Sequence, residues 1–155
     1  MGNKVQIMNE FYIYNNEALS SLILLSSLKE IETIRIEKFI LILPIALDNR
    51  IVKMISNSEH KNLVSFIKEN SSLFVRFNIR FNNILPITIN CFHILNTLGY
   101  IKIQNNRIFL SESLPEQIEL NSERFEKIEK VIKNLIELLI NTETDELYTL
   151  LNIKL

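Results

Sequence analysis

Glycine is nearly missing: Gly2 and Gly99 are the only two in 155 residues. A dinucleotide-binding fingerprint and a Walker phosphate cradle both need several glycines so that backbone can close on phosphate, so neither can be built here. Cysteine is scarcer still. Cys91 alone excludes an intrachain disulfide and cannot supply a thiolate zinc site, and such usage suits a reducing compartment. Neither charge sign is in excess: 17 Lys plus Arg face 18 Asp plus Glu, which rules out a polybasic arm and an acidic tail. The longest uncharged apolar run, Phe39 to Leu47, is nine residues, far below the ~20 that a membrane-spanning helix requires. The opening MGNKVQ has no charged-then-apolar leader pattern, and Gln6 stands where a myristoylation motif needs Ser or Thr. The expected location is the cytoplasm, with no membrane contact.

In place of those residues stand 26 Ile and 19 Asn, within a chain that is 47% hydrophobic. So much isoleucine inflates any β-propensity estimate, so spacing outranks propensity in reading the elements. No repeat and no Pro/Gly/Ser linker divides the chain, and residues 1–155 read as one domain. Asn16 is placed to cap an amphipathic helix from Glu17, with Leu19, Leu22, Ile23, Leu25 and Leu28 near one face. Ile36 to Leu47 reads as a helix apolar nearly all round, hence buried, and kinked by Pro44. Helical spacing continues from Asp48 to Ile55 and over a short stretch from Lys61 to Glu69. The cluster Asn70-Ser71-Ser72 opens a helix through Phe81, and Pro86, as a first-turn proline, opens another that stops at Gly99.

Beyond Gly99 the period changes to alternation. Tyr100 to Gln104 and Arg107 to Leu110 flank Asn105-Asn106, a pair that tolerates positive φ, and together these predict a tight hairpin. Helices followed by a hairpin give a winged-helix-like segment over about residues 71–110. After a polar stretch from Ser111 to Leu120, residues 121–151 hold the C-terminal helices. The longest runs to about Ile140, with Phe125, Ile128, Ile132, Leu135 and Leu139 stepping by 3 and 4 and with Glu-to-Lys i,i+4 pairs on its wet side. Thr142 and Asp145 are spaced like a capping box for a short final helix. The expected fold is mainly α, a single domain of about seven helices with the helix-helix-β-hairpin segment inside it.

Little here suggests catalysis. The soft or imidazole side chains are Cys91, His60 and His93, and residues two apart on a helix, as Cys91 and His93 are, point to roughly opposite sides. The carboxylates are mostly Glu in alternating charge patterns that read as solvated faces. We expect no enzyme activity, no cofactor and no metal. Nucleic-acid contact is a stronger rival: between Ser71 and Ser111 lie Arg76, Arg80, Lys102 and Arg107 and no acidic residue. Against it, the stretch from Leu85 to Leu98 that would enter a groove has no Lys or Arg, and phosphate contacts supply most of a DNA binder's affinity. A third option is a binding module. Val131, Ile136, Leu138 and Ile140 widen the long helix's stripe beyond one core face, and Ile136 and Ile140, off the main stripe, are the candidate partner-binding residues.

Several segments resemble the middle component of bacterial three-component ABC systems: YNNEALSSLILLSSL (Tyr14 to Leu28), FILILPIALDNRI (Phe39 to Ile51) and TDELYTLLNIKL (Thr144 to Leu155). Asn16, Ala18 and Leu19 match an Asn-Pro-Ala-Leu motif in which Glu17 replaces Pro, and Leu43-Pro44 match a Leu-rich stretch centred on Pro. That stretch is commonly followed in the family by His and Arg, and here Asp48 and Arg50 stand nearby instead. The resemblance implies a non-enzymatic adaptor acting between an SMC- or RecF-like ABC ATPase and an effector protein, in defence against phages and other mobile elements. It implies no catalytic residue. A winged-helix transcription regulator is the alternative, and any DNA contact within the larger complex is expected to be weak and without sequence preference.

Overall fold

The computed structural model describes residues 17–112 and 121–155. The expected Asn16 cap and most of the polar stretch before the long C-terminal helix lie outside them. Helix α1 (Glu17–Ile31) is followed by strand β1 (Thr33–Arg35), the one-turn helices α2 (Ile36–Phe39) and α3 (Ile42–Ala46), and helices α4 (Asn49–Ser56) and α5 (Leu63–Glu69). A 3-10 turn (Ser71–Phe74) then leads into α6 (Phe77–Thr97), the hairpin β2 (Ile101–Gln104) and β3 (Arg107–Leu110), and finally α7 (Glu123–Ile140) and α8 (Thr144–Leu150). The fold is mainly α, with one small antiparallel sheet, as the spacing predicts.

Helix α1 lies at the centre of the fold, packed against α7, α6, α3 and β3. It was expected to be amphipathic, yet residues 18 to 25 are all buried. The difference rests on its neighbours, which cover it on several sides. Of its serines, Ser27 returns its hydroxyl to the Ile23 carbonyl at 2.8 Å, while the hydroxyls of Ser20 and Ser21 are buried without a hydrogen-bond partner among the described residues. The next apolar segment is buried as expected, but it breaks rather than kinks. The break falls at Ile40 and Leu41, upstream of Pro44, because a proline ring displaces the carbonyl four residues earlier.

Two helices expected on either side of Pro86 are one, α6, with the proline inside it. Phe77 and Phe81 anchor its first half, and Cys91 and Leu95 its second, in the same core. Burial of ~1.5–3 kcal/mol per large side chain outweighs the ~3 kcal/mol cost of an interior proline. Helix α6 ends in a Schellman motif: Tyr100 N–H donates to the Leu95 carbonyl at 2.9 Å and Gly99 N–H to Asn96 at 3.0 Å, with Gly99 at φ 73°. The hairpin turn forms at Asn105 and Asn106, with φ of 50° and 60°.

Strand β1 was not anticipated. It pairs with β3 to give the order β1-β3-β2, in register Ile34 to Ile108 and Ile103 to Ile108. Thr142 is also placed differently from expectation. Instead of capping α8, its buried hydroxyl donates to Leu138 at 2.7 Å and accepts from the Leu63 N–H at 2.8 Å, tying α7 to the start of α5.

Candidate interaction surface

The most buried ionic site lies at the start of α4. Asp48, expected only as a helical position, is the N-cap: its carboxylate accepts from the Arg50 and Ile51 N–H groups at 2.9 and 3.4 Å. The Arg50 guanidinium holds both of its oxygens, at 3.2 and 3.0 Å, and Arg80 reaches across from α6 to form a second ion pair with it. Burial, the largest influence on Asp48, favours the neutral form. The hydrogen bonds from Arg50 and Arg80 together outweigh it and hold the carboxyl at about 2. This cluster locks α4 to α6, a structural task.

That pairing changes the reading of the basic residues. Arg76 is exposed at the beginning of α6, whereas Arg80 is engaged with Asp48. Lys102 and Arg107 lie past the other end of this 21-residue helix, about 30 Å away at 1.5 Å per residue. The four expected cations therefore form no single patch. The sheet gathers a different set: with Ile34, Ile101 and Ile108 turned inward, strand alternation puts Lys102, Arg107 and Arg35 on the outer face. Sequence reasoning missed Arg35 because nothing local marks β1 as a strand. Two of these cations are partly engaged, Arg107 Nε donating to Thr33 Oγ1 at 3.2 Å and Arg35 pairing with Glu37 at 2.9 Å.

The two partner-binding candidates separate. Ile136 is 3% exposed and belongs to the core, while Ile140, at the end of α7, is 43% exposed. The wide stripe on α7 is used internally, because the helix packs against α1 and α4 and also touches α3. Three neighbours need more than one apolar face, so the width that suggested a partner reflects the fold itself. Its outward side carries Glu123, Glu126, Lys127, Glu129, Lys130 and Lys133, with Lys127 and Glu123 paired at 2.7 Å.

Elsewhere, Cys91 is buried with its thiol on the Glu17 carbonyl at 3.6 Å, and burial pushes it up to about 11, so it is a poor nucleophile and ligand. His93 is exposed, and His60 contacts Glu69 with its ring edge-on to Phe66. Among the described residues no three His, Cys, Asp or Glu side chains cluster as a metal site would require. No helix among them is long and apolar enough to cross a membrane. A shallow depression lined by Lys68 of α5 and Asp145, Glu146, Thr149 and Leu150 of α8 holds mixed charge.

Compared with known proteins, residues 4–155 match the family model described as ABC-three component system Middle Component 3. No curated protein and no solved structure matches.

Proposed function

Because the chain belongs to the Middle Component 3 family and is thus a component of an ABC-three component system, we propose that it works as a non-enzymatic adaptor between an SMC- or RecF-like ABC ATPase and an effector. The wider role in this reading is defence against phages and other mobile elements. The observation that carries it is the reach of the family match, residues 4–155. Exposed apolar side chains such as Ile103, Ile140 and Leu150 support it, since they offer contact area that the core does not use.

The test is co-expression of this chain with a candidate ABC ATPase and a candidate effector, with the tag on the ATPase. An adaptor makes recovery of the effector depend on this chain. If the effector is recovered equally well without it, the adaptor role falls. ATP turnover by the purified chain would overturn the non-enzymatic part.

A second reading, DNA contact by a winged-helix-type segment, draws on Arg35, Lys102 and Arg107 sharing the outer sheet face. It requires binding that weakens steeply with salt and loses slope in a Lys102→Ala/Arg107→Ala variant. Tight, sequence-specific binding by the isolated chain would favour the transcription regulator instead.

A further inference from the structure

The outward side of α6 and the turn before it presents Val75, Ile79, Asn82, Pro86, Ile89 and His93, all exposed, with Val75 at 77%, Ile79 at 52% and Ile89 at 56%. Within α6 the spacing from Ile79 to His93 alternates 3 and 4, the period of a seam that packs against another helix, and Val75 extends the exposed apolar surface from the turn before it. An exposed helix face normally carries Glu and Lys, as α7 does. This one carries neither, and no acidic residue occurs from Ser71 to Ser111. Pro86 adds a polar feature at mid-seam, because without an N–H it leaves the Asn82 carbonyl without its helical donor.

We infer that this seam docks against the same seam of a second copy, the two α6 helices running antiparallel about a two-fold axis at the level of Ile84. The pattern fits itself in that register. Ile79 of one copy meets Ile89 of the other, and Asn82 meets Pro86, each pair equidistant from Ile84. Apolar layers thus flank an amide-bearing centre, where the Asn82 side chains can donate to acceptors that the prolines leave open. Holding no Lys, Arg, Asp or Glu, the seam meets its copy without repulsion among such groups, whereas a charged partner helix would lose hydration with nothing opposite to pair. The nearest cations, Arg76 and Arg80, sit toward one end of the helix, so an antiparallel arrangement keeps each pair distant from its symmetry mate. This dimer is independent of the adaptor reading.

The experiment is light scattering or sedimentation of the full chain from low micromolar to several hundred micromolar. The mass is expected to rise from 18.2 kDa toward twice that value. Ile79→Asp and Ile89→Asp should each remain monomeric throughout while keeping the wild-type circular dichroism and melting curve, since both side chains are exposed. Register is read by oxidation: an equal mixture of Ile79→Cys and Ile89→Cys proteins should form disulfide-linked dimers, and each alone should not. Buried Cys91 serves as the common background. A wild type that stays monomeric, Asp variants that associate like wild type, or single Cys variants that self-crosslink as readily as the mixture would each overturn the inference.

Discussion

At Asp48 a single carboxylate caps one helix and ties it to another through two arginines. Its pKa is lowered from 3.8 to about 2, so its ionised form is bound more favourably in the folded chain than in the unfolded one. That contribution is complete above about pH 4 and is lost as pH falls through about 2; screening near the surface limits it to roughly 1–2 kcal/mol. Asp48→Asn, which keeps a cap but cannot ionise, is expected to be less stable by that amount at neutral pH. It should also lose less stability between about pH 4 and pH 2, as urea unfolding across pH will read. Glu32 gives a second residue-level test. It ends α1 in the left-handed region at φ 62°, a conformation costing a non-glycine residue ~1–2 kcal/mol, whereas Gly pays ~0.5–1 kcal/mol in chain entropy. Glu32→Gly should therefore raise the melting temperature slightly, where a substitution to glycine usually lowers it. Tyr148 donates its hydroxyl to the Glu37 carbonyl at 2.6 Å, and burial raises the phenol to about 12. Its replacement by Phe is expected to cost ~1 kcal/mol in denaturant unfolding.

Helices expose a different balance, between what a local signal recommends and what packing enforces. Pro86 has the sequence signature of a helix start, yet buried anchors on both sides, Phe77 and Phe81 before it and Cys91 and Leu95 after it, carry α6 through it. Pro86→Ala restores a donor for the Asn82 carbonyl at an exposed position. It should stabilise the chain by about 1–3 kcal/mol, measured by thermal or urea unfolding. On α7 the expected contrast is between neighbours one turn apart: Ile136→Asp buries a lone charge and should leave no folded protein, while Ile140→Asp should fold and melt like wild type. Ordinary spacing sufficed for the extent of α7, for the hairpin and for the burial of the proline segment, though not for its break at Ile40 and Leu41, because each is specified by near neighbours in the chain. Three features depend on distant partners and were not legible. Strand β1 is three residues long and recognisable only by its partner β3. Asp48 meets Arg80 from another helix. Ile136 is buried because α7 has several neighbours. The same reason splits the candidate basic residues, since membership of a patch depends on where α6 ends and what Arg80 already holds.

On the scale of the whole molecule, the earliest described helix finds its principal partner in nearly the last: α1 packs most extensively on α7, with β1 also waiting for β3. About 90 residues separate Ile31 from Glu123, and synthesis at ~5–20 residues per second spreads that interval over roughly 5–20 s. Through that interval the leucines of α1 can be covered only by elements already made, such as α3 and α6, while the face that α7 will cover stays bare. Packing of that face thus waits for α7, and a product lacking α7 would leave it exposed.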